Sequence, residues 1–229
     1  SVNLSKQTHI IAANIDQAVL IVTLQSPLTT TGFIDRFLVS AKAFGVEVIL
    51  FFNKVDLYNK KLLSQKENLM REYSKIGYRC MSLSALYDNM NEVKSIVKNK
   101  NNIISGHSGS GKSTLINKLL GNSNILTKEI SQRHDQGQHT TTFSELYRLD
   151  FGGTIIDTPG IKGFGLVNID LSRLSDFFPE FLSLKEGCKF NNCRHIKEPH
   201  CKVKEALQKD QISKDLSLIH ISEPTRLNP

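Results

Sequence analysis

The chain has 229 residues, of which 29 are Lys or Arg and 22 are Asp or Glu, for a formal net charge of +7; its pI is near 9.2. Hydrophobic residues make up 39% and charged residues 22%, enough apolar material for one large or two small packed domains and too much for wholesale disorder. The strand-like apolar stretches Ala18–Leu24 and Val46–Phe52 are far shorter than the roughly 20 residues a helical membrane span requires, and the start, SVNLSKQTHII, lacks a cationic segment followed by an apolar one, so neither a membrane span nor a secretion signal is expected. The first residue is not Met, and the chain is expected to be a piece of a longer protein. The basic balance favours phosphate-rich or nucleic-acid partners without bearing on the fold.

Strand-like runs alternate with helical patterns. Ala18–Leu24 precedes a helical stretch at Phe33–Phe44; Gly45 breaks the chain before a strand at Val46–Phe52. Residues 60–76 have helical character, Arg79–Leu83 strand character, and Asp88–Lys98 helical character again. Asn102–Ser105 is a short strand running into a Gly-rich turn and a helix at Lys112–Leu120. This alternation predicts an α/β domain with a mostly parallel sheet covered by helices on both faces. Gly121–His139 is polar and aperiodic and is expected to be a mobile loop. Thr142–Leu149 and Gly153–Ile156 form two further strands, a hairpin turning at Asp150–Gly152. Past residue 168 short helical segments with Leu171, Leu174, Phe177, Phe178 and Phe181 lead into a Cys/His cluster. The expected division is 1–168, 169–215 and a tail at 216–229.

Gly106, His107, Ser108, Gly109, Ser110, Gly111, Lys112 and Ser113 match G-x-x-x-x-G-K-[ST], placed after a strand and before a helix as a phosphate loop requires. Glycines let backbone N–H groups turn inward around a phosphate, and the helix N-terminus adds partial positive charge. Lys112 can reach the β- and γ-phosphates and the Ser113 hydroxyl can ligate Mg²⁺. Asn53-Lys54-Val55-Asp56 follows a strand and selects the base. The Asp56 carboxylate offers two acceptors to the N1–H and N2 amine of guanine; adenine has no such pair. Asn53 either bonds N7 or ties the loop together, and the Lys54 stem lies along the base plane. Asp157-Thr158-Pro159-Gly160 follows another apolar strand: Asp157 can hold Mg²⁺ through water and the Gly160 N–H can meet the γ-phosphate. Ser84-Ala85-Leu86 follows the strand through Leu83 and could give a backbone N–H to the guanine oxygen.

The order of these motifs is unusual. Ordinary GTPases run phosphate loop, switch threonine, D-x-x-G, N-K-x-D, S-A-x; here N-K-V-D and S-A-L come first. The pattern is a circular permutation, which a domain with neighbouring surface termini tolerates. With G-H-S-G-S-G-K-S-T (106–114, ending in Thr114), H-T-T-T (139–142), D-T-P-G-I (157–161) and the Cys/His cluster, the chain resembles the circularly permuted GTPases that assist small-ribosomal-subunit biogenesis in bacteria. The resemblance covers roughly residues 1–215. It implies a P-loop GTPase domain followed by a small helical zinc-binding domain, GTP and GDP as ligands, Mg²⁺ with the nucleotide, the small subunit and its rRNA as partner, a cytoplasmic location and a monomer. Family members also carry an N-terminal OB-fold, which the resemblance places before residue 1 and which is not expected within these residues.

Ile161 stands where many GTPases place a water-orienting Gln. The resemblance points instead to His139, in the expected mobile loop, as the catalytic group. One of Thr140 and Thr141 is expected to ligate Mg²⁺ and touch the γ-phosphate; spacing does not choose between them. Slow turnover is expected until a partner orders the loop.

Cys188, Cys193, His195 and Cys201 offer three thiolates and one imidazole, a set suited to one tetrahedral structural Zn²⁺. His200 is a rival ligand, made awkward by its neighbour Cys201. The segment is poor in apolar residues, so metal is expected to supply much of its folding energy. Residues 185–209 hold seven Lys or Arg and three Glu, a basic face suited to rRNA. Cys80 stands alone and is expected to be a buried small hydrophobe. From Leu216 the sequence LSLIHISEPTRLNP departs from the family's amphipathic helix and is expected to be poorly packed. Two other functions compete: a zinc-dependent rRNA-binding module with a degenerate nucleotide site, and an ATPase of the same superfamily.

Overall fold

The computed structural model describes residues 14–121, 145–158, 175–209 and 211–212. Its frame is a six-stranded sheet built from β1 (Gln17–Val22), β2 (Glu47–Phe52), β3 (Arg79–Ser82), β4 (Asn101–Gly106), β5 (Glu145–Arg148) and β6 (Thr154–Asp157), in the spatial order β3-β2-β1-β4-β6-β5. Every pairing is parallel except β5 with β6, which forms the expected antiparallel hairpin. All six residues of β1 are buried. A central parallel strand is covered on both faces, so its sequence is continuously apolar rather than alternating.

The side-chain alternation of β1 and β2 divides the core in two. Val19, Ile21, Ile49 and Phe51 pack with Val93, Ile96 and Val97 of α3 (Asn91–Val97) and Leu115, Ile116 and Leu119 of α4 (Lys112–Leu120). Ala18, Leu20, Val22, Val48, Leu50 and Phe52 pack with Phe33, Ile34, Phe37 and Leu38 of α1 (Thr31–Ala43) and Tyr73 of α2 (Lys60–Lys75). Thr30 caps α1 by accepting from the Phe33 N–H, and Asn59 caps α2 by accepting from the Leu62 N–H, so each helix begins at a polar residue that satisfies an otherwise orphaned donor.

Several element boundaries differ from expectation by one to three residues, two of them for a visible reason. The strand predicted at Ala18–Leu24 ends at Val22, because the Thr23 N–H turns to the Thr29 hydroxyl and the Thr23 hydroxyl donates to the Pro27 carbonyl. The helix predicted at 88–98 spans Asn91–Val97, because the Asp88 carboxylate accepts from the Ser84 N–H at 2.7 Å and holds that segment as a turn. Cys80 is half-buried against the second core cluster. The expected mobile loop at 121–139 after Gly121, which ends α4, the beginning of the strand at 142–144, the division at 168 and the tail at 216–229 lie outside the described residues.

In the C-terminal part, α5 (Pro179–Lys185) and α6 (Lys202–Gln208) flank the cysteines. Their core is a third cluster of Phe178, Phe181, Cys193, Cys201 and Val203, joined by Val39 of α1. Among the described residues, Val39 is the member of that cluster contributed by the sheet domain. Nearby, burial first and the charges of Glu180 and Asp35 second push the Tyr78 phenol up to about 12. Among the described residues no helix is long and apolar enough to cross a membrane.

Candidate nucleotide and metal sites

β1, β2, β3, β4 and β6 run in the same direction, so the loops that follow them share one edge of the sheet. The motifs that are scattered and reordered in sequence meet there: residues 106–113 after β4, 53–56 after β2, 84–86 after β3 and 157–158 at the end of β6. Such an edge is where ligands of open α/β sheets bind.

The phosphate loop is built by its glycines at two points. Gly111 caps α4 with φ +98°, and a Cβ on it would collide with Nδ2 of Asn53. A Cβ on Gly106 would lie 2.9 Å from the Ile21 carbonyl oxygen. Ser113 and Thr114 lie in the first turn of α4. Lys112 is buried and its Nζ donates to the carbonyls of Gly106 at 2.8 Å and His107 at 3.0 Å. Burial lowers its pKa, and the Asp157 carboxylate opposes that shift. Reciprocally, burial pushes the Asp157 carboxyl up to about 6, with Lys112 lowering it and Glu145 raising it. Thr158 fixes Asp157 beside the loop: its hydroxyl donates to the Ile104 carbonyl at 2.9 Å and lies 3.1 Å from the Ser105 hydroxyl.

Asn53 is 2% exposed and its amide joins three motifs. Nδ2 donates to the Ser110 carbonyl of the phosphate loop at 2.8 Å, and Oδ1 accepts from the Ala85 N–H at 2.8 Å. Of the two roles open to Asn53 on sequence, the structure shows the one that ties loops. Of the N–H groups that Ser84-Ala85-Leu86 could offer a guanine oxygen, that of Ala85 is engaged by Asn53. Lys54 adopts φ +64° and its ammonium donates to the Ser26 carbonyl. Asp56 sits in the short 3₁₀ turn Val55–Leu57.

Sequence reasoning missed several residues of this edge. The Tyr58 hydroxyl accepts from the Leu24 N–H at 2.8 Å and donates to the Asn53 carbonyl at 2.7 Å, so it braces the base-reading loop from beneath. Burial raises its pKa, as does the nearby Asp56 charge, while the Leu24 bond lowers it. Gln25 Nε2 donates to the Leu57 carbonyl, and Lys118 Nζ donates to the Leu86 and Asp88 carbonyls. The Phe33 ring lies against His107, with ring centroids 4.2 Å apart. The one hint in the sequence is the tyrosine two residues after Asp56, just past the Val55–Leu57 turn. His139, Thr140, Thr141 and Gly160 lie outside the described residues.

One orphaned atom bears on a cation: Oδ1 of Asp157 is buried with no hydrogen-bond partner. A buried carboxylate oxygen near the phosphate loop, with the Ser113 hydroxyl at the start of the adjoining helix, is a donor set of the hard oxygen type that Mg²⁺ prefers.

The second site is the Cys/His cluster, whose four ligand atoms lie within 4.8 Å of one another. Cys188 Sγ is 3.6 Å from His195 Nδ1 and 4.0 Å from Cys201 Sγ, and His195 Nδ1 is 3.3 Å from Cys201 Sγ. Tetrahedral bonds of about 2.3 Å to sulfur imply sulfur–sulfur edges of about 3.8 Å, so the cluster fits Zn²⁺. Burial, then the adjoining thiols, push the Cys201 thiol up to about 12 against an opposing backbone bond from Lys204. A shared divalent cation reverses that preference by stabilising thiolates. Cys193, Cys201 and His195 are buried. His200, the rival ligand, is absent from the cluster.

A model of the family described as RsgA GTPase matches residues 2–167. The "Small ribosomal subunit biogenesis GTPase RsgA" of Flavobacterium psychrophilum is 54% identical over 214 residues, which are 93% of this chain and 66% of that protein. The protein of the same name from Azobacteroides pseudotrichonymphae is 46% identical over 230 residues, 99% of this chain and 74% of that one. Among solved structures, YjeQ from Thermotoga maritima superposes with a TM-score of 0.77 at 32% identity, covering 94% of this chain and 73% of that one. YloQ, titled a circularly permuted GTPase, gives 0.72 at 27% identity, covering 93% of this chain and 69% of that one. The chain thus spans about two thirds of the length of its Flavobacterium relative.

Proposed function

The chain belongs to the RsgA GTPase family, and from that premise we propose that it binds guanine nucleotide with Mg²⁺, hydrolyses GTP to GDP and phosphate, and acts on the maturing small ribosomal subunit. One observation carries the nucleotide part: a single buried side chain, Asn53, is hydrogen-bonded at once to the phosphate loop and to the S-A-L segment. The motifs read as base-reading and phosphate-holding are therefore tied to one another by a buried side chain despite their reordering, which supports a common site. The names of the relatives support the ribosomal part.

In this proposal Asp56 accepts the two guanine protons, and the phosphate loop N–H groups and the α4 N-terminus receive the phosphates. The Lys112 ammonium exchanges its two loop carbonyls for β- and γ-phosphate oxygens, a move between acceptors that keeps its protons bonded. Asp157, whose carboxyl lies near 6, and Ser113 would hold Mg²⁺, which when bound would supply positive charge beside the phosphates. His139 orients or deprotonates the attacking water, and one of Thr140 and Thr141 together with the Gly160 N–H meets the γ-phosphate. Cys188, Cys193, His195 and Cys201 hold one structural Zn²⁺, and the basic face around them contacts rRNA. A monomer working in the cytoplasm, where small subunits are made, completes the proposal.

Titration with GDP, GTP and ATP, with and without purified small subunits, tests it. Guanine-selective binding and subunit-stimulated GTP hydrolysis are expected. Equal affinity for ATP points to the ATPase reading; zinc and RNA binding without GTP turnover points to a degenerate nucleotide site.

A further inference from the structure

The turn between the second and last metal ligands is organised by a carboxylate that is not itself a ligand. Oε1 of Glu198 accepts from the Arg194 N–H at 3.0 Å. Oε2 accepts from the Ile196 N–H at 2.9 Å and the Lys197 N–H at 3.0 Å. Three backbone donors that flank His195 thus converge on one side chain. The Glu198 carbonyl in turn accepts from Lys204 of α6 at 3.4 Å, which ties the turn to the helix that begins just after Cys201. Within this turn His195 adopts φ +61°, a left-handed conformation that a residue with a Cβ seldom takes unless its surroundings impose it. That conformation aims Nδ1 at the sulfurs of Cys188 and Cys201.

We propose that Glu198 is the positioning residue of the metal knuckle, holding the 194–197 backbone so that His195 meets the three cysteines already in ligating geometry. The proposal rests on the zinc reading of the cluster. Bonds from backbone N–H groups to an ionised carboxylate are the stronger, shorter kind, and a carboxylate accepts at both oxygens whereas an amide accepts at one and sets its own donors against the remaining N–H groups. Glu198→Gln therefore keeps the size of the side chain and disrupts the convergence. Groups of this kind behind a metal ligand typically change metal affinity about 10- to 100-fold when lost.

The test uses the full chain loaded with Co²⁺ as a spectroscopic stand-in and competed with Zn²⁺ against a chelator. Wild type is expected to bind one equivalent with the tetrahedral bands of a thiolate-rich site. Glu198→Gln is expected to bind about 10- to 100-fold more weakly, Glu198→Asp to recover part of that loss, and GDP affinity to stay unchanged in both, since the sheet domain has its own core. Glu205→Gln removes a nearby negative charge that pairs with Lys202 at 2.7 Å and is expected to leave metal affinity as in wild type. Wild-type affinity in Glu198→Gln overturns the positioning role while leaving the zinc reading intact. An equal loss in Glu205→Gln overturns it in favour of simple charge, and a parallel loss of GDP binding overturns it in favour of general misfolding. A wild-type chain without the tetrahedral spectrum removes the zinc reading and this proposal with it.

Discussion

The loops at the carboxyl edge of the sheet and the knuckle around the cysteines each hold polar groups in a fixed array, but they rest on different foundations. Behind the loops lie two apolar clusters, one on each face of the sheet, with Phe51, Phe52, Leu20, Ile21 and Leu50 completely inaccessible to solvent. Behind the knuckle lies one small cluster in which two of the proposed zinc ligands, Cys193 and Cys201, are themselves members of the core. The first region can lose a loop contact and keep its fold. In the second, two of the residues that could hold a metal are also part of the core, so a change at either is expected to disturb both.

The largest expected effect is on that second region. Stripping the metal with a chelator, or Cys201→Ser, is expected to make residues 175–212 sensitive to protease while the sheet domain still binds GDP, since structural zinc contributes roughly 10–16 kcal/mol in small zinc domains. Limited proteolysis read by mass spectrometry, with GDP binding measured in parallel, checks this; loss of GDP binding together with the knuckle would show that the two foundations are one. Next is Asp56→Asn, expected to weaken GDP by about 100-fold or more, because hydrogen bonds to a charged group are each worth roughly 1.5–3 kcal/mol. Calorimetric titration with GDP and with xanthosine diphosphate checks it, the latter gaining where the former loses. Tyr58→Phe should cost about tenfold in GDP affinity, because leaving a buried Leu24 N–H and Asn53 carbonyl without the hydroxyl costs roughly 1–3 kcal/mol. A thermal melt alongside the binding measurement separates loop positioning from a general loss of stability.

The smallest effect is one of pH. The Asp157 carboxyl is raised from its ordinary 3.8 to about 6, so between those values the folded chain holds a proton that the unfolded chain has released. Stability from this group is greatest below the window and falls as pH rises through it. Asp157→Asn is therefore expected to raise the melting temperature of the nucleotide-free protein at pH 8, by about 2–4 °C for each kcal/mol relieved, and to have little effect on it at pH 4. The same substitution should abolish Mg²⁺-dependent tightening of GTP binding. A melting temperature that falls at pH 8 would mean that the Lys112–Asp157 attraction outweighs the burial of the carboxylate.

The two regions also differed in how far their sequences disclosed them. The parallel sheet was legible in β1 and β2, where continuous apolar residues can be satisfied only between two layers of helix. The phosphate loop, the base-reading motif and the cysteine cluster were legible because each is local: short spacing imposes the chemistry. What joins those pieces was not. Whether Asn53 contacts the base or its own neighbours depends on a carbonyl at Ser110 and an N–H at Ala85, which are distant in the chain. Tyr58 looks like any turn residue until Leu24 is placed above it. Glu198 looks like one more charge on a basic surface, because backbone convergence leaves no periodic mark. His139 and the threonines after it lie outside the described residues, so their roles rest on chemical need and kinship.

One amide side chain stapled across three loops has a thermodynamic consequence. To swing the Ala85 peptide away from Asn53, or to pull Ser110 off it, the chain must break a bond inside a site only 2% open to water at Asn53, and the severed partner finds no solvent to console it. Hydrogen–deuterium exchange at the Ala85 amide should therefore slow when a phosphate-only ligand such as pyrophosphate occupies the opposite end of the cleft, because stiffening one rim stiffens the other. A shared opening of this kind couples the loop that follows β2 to the phosphate loop, so the two are expected to open together rather than independently.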